Sequence, residues 1–147
     1  MRTPATRSIA IESNPSSIAE VCKQILPKLE AHSFSREDIF AVHLALEEAL
    51  INAIKHGNKM DPKKEVKIEY LVTSDKVEIS MTDEGVGFNP EIVPDPRLGE
   101  NLYKSEGRGL LLIQSYMDEV EFNKQGNSMR IVRYREKPHL AKTNKSA

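Results

Sequence analysis

The segment from Ser35 to Gly57 constrains the fold more than any other part of the sequence. Ser35 and Asp38 have the spacing of a helix capping box, with Asp in place of the usual Glu, and Gly57 stands where a C-terminal cap is expected. Between them apolar residues recur at helical spacing, which predicts one long helix over 39–56 with a buried inner face. That face comprises Ile39, Val42, Leu46, Ala49, Leu50 and Ala53.

The segments around this helix predict an α+β fold. Two runs alternate apolar and polar residues with period two and are joined by a short turn, as in an antiparallel hairpin. With the flanking elements, the order β-α-α-β-β-loop-α-β-β predicts a two-layer sandwich, in which helices cover one face of a mostly antiparallel mixed sheet. The predicted strands are 8–12, 66–72, 77–81, 120–123 and 129–134, and the other helices are 15–30 and 110–117.

The length of 147 residues predicts one domain, placed at 8–135. The polar ends, 1–7 and 136–147, are expected to be flexible tails. Residues 88–106 contain three prolines and show no periodicity, which is typical of a functional or mobile loop rather than a plain connection.

Charge and hydropathy exclude several classes of protein. The net charge of −1 gives no basic footprint for direct nucleic-acid binding. No apolar run is long enough for a signal peptide or a membrane span, so we expect a cytoplasmic protein without membrane contact. The single cysteine, Cys22, lies on an apolar stripe of the first helix and is interpreted as a small buried hydrophobe.

One polar pair lies on the long helix beside its apolar positions. Glu48 and Asn52 are four residues apart and therefore project from the same side of the helix. A carboxamide oxygen suits Mg²⁺, and a carboxylate one turn away can orient water or accept a proton. Spacing alone also allows a solvated surface pair.

A glycine-containing loop follows the second hairpin strand. Its residues, 83–87, read D-E-G-V-G, so Asp83 can accept a hydrogen bond from an exocyclic amine while Gly85 and Gly87 let the backbone approach a ligand. An ordinary glycine-relaxed turn is the alternative.

A third glycine-containing segment, Glu106 to Leu110, reads E-G-R-G-L and stands directly before an apolar helix. Unpaired amides at a helix N-terminus bind anions such as phosphate, whereas a flexible joint is the simpler interpretation. The segment is not a Walker loop, because no Gly-Lys-Ser/Thr follows.

Taken together, E-x-x-x-N-A-x-x-H-G at 48–57, D-x-G-x-G at 83–87 and G-x-G-L at 107–110 resemble the N, G1 and G2 boxes of the GHKL (Bergerat-fold) ATPase superfamily. Over about residues 8–135 the chain is most similar to the small anti-sigma factor serine/threonine-protein kinases of bacteria. The resemblance implies binding of ATP and Mg²⁺. It also implies phosphorylation of a STAS-domain anti-anti-sigma protein, alternative binding of a sigma factor, and a homodimer.

The resemblance also implies roles for individual residues. Glu48 matches the general base, Asn52 the magnesium ligand and Asp83 the residue that reads adenine. Gly85 and Gly87 match the glycines that shape the adenine pocket. Gly107 and Gly109 match the hinge glycines of a lid over the phosphates, which would be residues 88–106. The full set of expected nucleotide-binding residues is Asn52, Asp83, Gly85, Gly87, Gly107, Arg108, Gly109, Leu110 and Ser128.

Three further positions differ from the family pattern or have a second interpretation. The family's closing Gly-Thr is replaced by Gly126-Asn127, so the hydroxyl expected near the adenine either comes from Ser128 or is absent. Arg108 has no family role and could contact phosphate or face solvent. His56 matches a common family histidine, but a cation near a helix C-terminus is the preferred interpretation.

Overall fold

The computed structural model describes residues 6–85 and 106–135, with the backbone alone at 106–108. Residues 1–5 and 136–147 of the predicted tails, Gly87 and nearly all of the predicted lid lie outside these residues, whereas Arg7, predicted to be in the N-terminal tail, begins the first strand. The strands are β1 (Arg7–Glu12), β2 (Glu65–Val72), β3 (Lys76–Thr82), β4 (Glu119–Phe122) and β5 (Ser128–Tyr134). The helices are α1 (Ile18–Ala31), α2 (Arg36–Ile51) and α3 (Glu106–Tyr116), with a 3₁₀ turn at Pro15–Ser17 and a π-helical segment at Asn52–Gly57.

The five strands form one sheet in the order β1-β2-β3-β5-β4. Every pairing between these described strands is antiparallel, with Tyr70 opposite Ile79 and Ile79 opposite Ile131. Because side chains alternate along a strand, these apolar residues all point to the face that the helices cover. The predicted α+β two-layer sandwich is confirmed.

The predicted inner face of the long helix lies in the core. Val42, Leu46 and Leu50 are fully buried there, and Ile39 is partly buried at its edge. Cys22 is also buried, and its burial, followed by the nearby Glu47 carboxylate, raises the pKa of the thiol to about 11. A protonated, buried thiol fits the predicted role of a small hydrophobe.

The capping box at the start of α2 forms as predicted. The Ser35 hydroxyl accepts from the Asp38 amide at 3.0 Å, and the Asp38 carboxylate accepts from the Ser35 amide at 3.4 Å. Asp38 is fully buried and also accepts from Arg133 Nε at 2.8 Å, while Arg133 donates to the Tyr116 carbonyl at 2.6 Å. These contacts fix the end of α3 against α2 and β5.

The long helix is not α-helical throughout, in contrast to the prediction. Its α-helical part ends at Ile51, and residues 52–57 continue as a π-helix in which the Asn58 amide donates to the Ala53 carbonyl at 2.8 Å. Each backbone bond there spans one more residue, which turns the following side chains to new directions. Short π-helical segments frequently occur at functional sites.

The last helix starts earlier than predicted. It begins at Glu106 rather than near Leu110, so the glycine-containing segment forms its first turn. No helix among the described residues is both long and apolar enough to cross a membrane. The expected cytoplasmic location stays a prediction.

Candidate functional site

The first part of the candidate site lies between α2 and α3. Glu48 and Asn52 are both partly exposed and face Gly109, which is buried. A methyl group built on Gly109 would lie 2.7 Å from Glu48 Oε2 and 3.8 Å from Asn52 Nδ2. The first turn of α3 therefore approaches this polar pair as closely as a residue without a side chain allows.

The second part lies where the π-helical segment meets the loop after β3. A methyl group on Gly57 would lie 2.2 Å from Asp83 Oδ2, and one on Gly85 would lie 2.0 Å from the Gly57 carbonyl oxygen. Gly57 does not have a positive φ, whereas Lys59 and Met60, just after the helix, do. The prediction that Gly57 serves as a helix cap was therefore wrong. Glycine is required at this position because Asp83 packs closely against it.

Asp83 is held on its backbone and its side chain. Its amide donates to the Asn127 carbonyl at 2.9 Å, and Asn127 Nδ2 donates to the Asp83 carbonyl at 3.2 Å. The Gly85 amide donates to Asp83 Oδ1 at 2.8 Å. Desolvation by burial raises the pKa of Asp83, although the bond from Gly85 and the charge of Lys64 act in the opposite direction. The carboxylate is thus a fixed, partly desolvated hydrogen-bond acceptor.

Asn58 supports this loop and was not identified from the sequence. It is fully buried; its Nδ2 donates to Ser13 Oγ at 2.8 Å and to the Glu65 carbonyl at 3.0 Å. Its Oδ1 accepts from the Glu84 amide at 2.7 Å. One side chain thereby joins the end of β1, the start of β2 and the glycine-containing loop. Its position directly after Gly57 was the available signal, but that position is equally typical of a solvent-exposed turn.

Ser128 lies next to Asp83 across the β3–β5 pairing. Its hydroxyl is 2.9 Å from Thr82 Oγ1, which is its register partner and precedes Asp83. Asn127, not Ser128, makes the contacts with the Asp83 backbone. The expected role of Ser128 toward a nucleotide stays a prediction.

For the remaining predicted site residues the structure gives a position but few contacts. Leu110 is partly buried against the core. The backbone of Gly107 and Arg108 lies in the first turn of α3. The Arg108 side chain is not among the described parts of the chain. His56 lies in the last turn of the π-helical segment, and its expected role stays a prediction.

The donors at the first part of the site fit a hard divalent cation. Asn52 offers a carboxamide oxygen and Glu48 a carboxylate, which are the oxygen ligands that Mg²⁺ prefers when it also binds substrate phosphates. The first-turn amides of α3 lie beside them, where a helix N-terminus favours negative charge. The side chains and backbone groups present therefore suit a magnesium-bound polyphosphate.

The chain is similar to known proteins of one family. The family model of the histidine kinase-like ATPase domain matches residues 11–133. The chain is 31% identical over 120 residues to the serine-protein kinase RsbW of Listeria monocytogenes serotype 4a, which covers 77% of this chain and 76% of that protein. It is 33% identical over 91 residues to the anti-sigma F factor of Oceanobacillus iheyensis, covering 58% of this chain and 60% of that protein.

A solved structure shares the fold. The crystal structure of the RsbU and RsbW domains of Rv1364c from Mycobacterium tuberculosis superposes with a TM-score of 0.60 at 16% identity, covering 90% of this chain. The match spans 32% of that longer chain. From the motif geometry, the family match and the identity to curated relatives, the chain belongs to the histidine kinase-like ATPase family, in its anti-sigma kinase branch.

Proposed function

We propose that this chain is an ATP-dependent serine/threonine protein kinase and anti-sigma factor of a bacterial partner-switching system. Its substrate is a serine on a STAS-domain anti-anti-sigma protein. The observation that carries the proposal is the convergence of three separate motifs: Gly109 lies against Glu48 and Asn52, and Gly85 and Asp83 lie against the end of the same helix.

The polyphosphate end of the site supplies the groups for transfer. Glu48 accepts the proton of the attacking serine hydroxyl, whose oxygen forms the new bond to the γ-phosphorus as ADP leaves. Asn52 would hold Mg²⁺, which when bound would neutralise the charge that develops on the phosphate oxygens. The first-turn amides of α3 orient those oxygens at the positive end of the helix dipole.

The opposite end of the site selects the base. Asp83 Oδ1 already accepts from the Gly85 amide, so the second carboxylate oxygen is available to the exocyclic amine of adenine. The close packing of Gly57 and Gly85 around Asp83 keeps this acceptor in place. ATP is therefore preferred over GTP, which carries a carbonyl at the equivalent position.

The protein partners are proposed from the relatives. Proteins named as serine-protein kinase and as anti-sigma factor are both similar to this chain, and a single surface that binds either a sigma factor or its antagonist accounts for both names. A homodimer is part of the same proposal and rests on family resemblance.

The test is phosphoryl transfer from γ-labelled ATP with Mg²⁺ to the STAS-domain protein encoded nearest to this chain. Wild type is compared with Glu48→Gln, and Glu37→Gln on an exposed position of the same helix is the control. Transfer should fall at least about 100-fold in Glu48→Gln with ATP still bound, and should persist in the control. Transfer that survives Glu48→Gln would reject the assignment of the base.

A second candidate function is a non-catalytic, ATP-gated protein-binding module. The same site geometry binds ATP in both cases, and the presence of Glu48 beside the phosphate end favours the kinase. ATP binding without transfer to any STAS-domain substrate would favour the module, while failure to bind ATP would reject both.

A further inference from the structure

A second cluster of chemically active side chains lies between α1 and α2, outside the nucleotide site. It consists of Cys22 on α1 and of His43 and Glu47, one turn apart on α2. One potential ligand atom from each residue lies within 4.8 Å of the others, and His43 Nε2 is 3.2 Å from Glu47 Oε2. Among the described residues, no other three His, Cys, Asp or Glu side chains bring their ligand atoms this close together.

The cluster combines the donor atoms of a borderline metal site. It offers one thiol sulfur, one imidazole nitrogen and one carboxylate oxygen, the three atom types that bind Zn²⁺ in proteins. Bond lengths of about 2.0 to 2.3 Å in a tetrahedral site separate ligand atoms by roughly 3.3 to 3.6 Å. The His43–Glu47 distance of 3.2 Å is close to that range, and the Cys22 sulfur lies within 4.8 Å of both ligand atoms.

The exposure of the three residues suits an accessible site. Cys22 is 8% exposed and is fixed by the core, whereas the side chains of His43 and Glu47 are 44% and 49% exposed. A cation can therefore enter from solvent and keep a water molecule in a fourth position. Mg²⁺ does not fit, because it prefers oxygen ligands over sulfur and nitrogen.

Simpler interpretations of each residue leave the convergence unexplained. A His-Glu pair at this spacing on an exposed helix stabilises that helix only weakly. A cysteine that served only as a core hydrophobe could occupy any position of the α1 stripe. Here its sulfur instead lies within 4.8 Å of the His43 imidazole and the Glu47 carboxylate on the facing helix.

We propose that Cys22, His43 and Glu47 form a binding site for Zn²⁺, with three protein ligands and one water. On binding, the thiol proton leaves to solvent and a sulfur–zinc bond forms, without any change of oxidation state. The ion would cross-link α1 to α2, and its ligand Glu47 directly precedes Glu48. This site is independent of the proposed kinase activity, since its ligands are separate from the nucleotide-binding groups.

The experiment uses the full chain, freed of metal and purified without a histidine tag. Co²⁺ is titrated in first, because a tetrahedral cobalt site gives intense visible bands and a cobalt–thiolate bond adds a near-ultraviolet charge-transfer band. Zn²⁺ is then added and should bleach both. The chain should bind one equivalent of Co²⁺ with these signatures, and Zn²⁺ should raise its thermal midpoint.

Variants assign the ligands. Cys22→Ala should lose the charge-transfer band, and His43→Gln and Glu47→Gln should weaken Co²⁺ and Zn²⁺ binding by roughly tenfold or more. His32→Gln is the control, because His32 bonds to the Lys28 carbonyl at the end of α1 and lies outside the cluster. If Cys22→Ala fails to fold, the two more exposed positions still decide the question, with circular dichroism reporting the fold.

Pale, six-coordinate cobalt spectra that the three variants do not change would overturn the proposal, as would the absence of saturable binding. Loss of metal binding in His32→Gln together with full binding in His43→Gln would assign the metal to another site. ATP affinity is measured in parallel in His43→Gln and should be unchanged. Failure of the kinase assay would therefore leave this result unaffected.

Discussion

The two ends of the nucleotide site are built in different ways. Around Asp83, hydrogen bonds from the Gly85 amide and the Asn127 side chain fix the loop. The Asn58 side chain also accepts from the Glu84 amide of this loop. Around Glu48 and Asn52, no side-chain hydrogen bond involves either residue within 6–85 and 106–135. The base-binding end is therefore preorganised, whereas the phosphate end keeps its polar groups available for the ligand.

The same difference distinguishes the glycines. Gly57 is closely packed against the hydrogen-bonded Asp83 carboxylate and Gly85 against a backbone carbonyl, neither of which is the free end of a flexible side chain. Gly109 instead faces the far end of the flexible Glu48 side chain. A glycine-to-alanine substitution should therefore destabilise the fold more at the base-binding end than at the phosphate end.

The largest loss of stability is expected for Gly85→Ala. The new methyl group would lie 2.0 Å from the Gly57 carbonyl oxygen, so the loop or the end of the helix must shift. We expect the free energy of unfolding to fall by about 3 kcal/mol, as for severe overpacking, together with loss of ATP binding. Urea unfolding and calorimetric titration with ATP measure both, and an unchanged unfolding midpoint would contradict the close packing.

Asn58→Ala should give the next largest loss. It leaves the Glu84 amide and the Glu65 carbonyl without their side-chain partner and opens a small cavity. The free energy of unfolding should fall by about 2 kcal/mol. Asn14→Ala is the matched control, because Asn14 is an exposed cap whose oxygen accepts from the Ser16 amide, and should cost about 1 kcal/mol or less. An equal loss in both variants would show that burial of Asn58 does not matter.

Asp83→Asn should separate binding from stability. The Gly85 amide keeps its acceptor, but an amide group replaces the oxygen that faces the adenine amine, so ATP affinity should fall about tenfold. Burial raises the pKa of Asp83, so its ionised form is disfavoured in the folded state. The stability linked to Asp83 is full below the pKa of an unfolded Asp and is lost as pH rises through the higher folded pKa.

The variant should therefore be slightly more stable than wild type at neutral pH, and the two should converge in acid. Thermal unfolding of both proteins between acidic and neutral pH measures the difference. A variant that is less stable than wild type at neutral pH would show that the Asp83 charge stabilises the fold.

Much of this arrangement could be predicted from the sequence. The apolar face of α2, the capping box and the alternating strands each depend on local spacing, and the structure places them as the pattern indicates. The three motifs could be connected with one another only through family resemblance, because their spacing along the chain says nothing of their distance in space.

The features that could not be predicted depend on contacts between distant residues. The change from α- to π-helix at Asn52 involves a shift of backbone bonds by one residue, which leaves no mark on hydrophobic spacing. Asn58 resembles a turn residue, yet it is buried by partners from β1 and β2. Gly57 resembles a cap because the sequence does not show that Asp83 packs on it.

The smallest effect on stability is expected for Gly109→Ala. Alanine favours a helix by up to about 1 kcal/mol over glycine, which offsets the movement of the Glu48 carboxylate away from a methyl group 2.7 Å distant. The unfolding free energy should stay within about 1 kcal/mol of wild type, and ATP affinity should change little. Phosphoryl transfer should fall about tenfold, because the displaced carboxylate no longer lies in line with the attacking hydroxyl.

Single-turnover transfer, measured beside urea unfolding, tests this combination. The double variant Gly109→Ala/Glu48→Gln should be no slower than Glu48→Gln alone, because both changes act through one carboxylate. Additive losses would mean that Gly109 acts on the phosphate directly, through the backbone of the first turn of α3. A fall in stability as large as that of Gly85→Ala would instead show that the phosphate end is as tightly fixed as the base end.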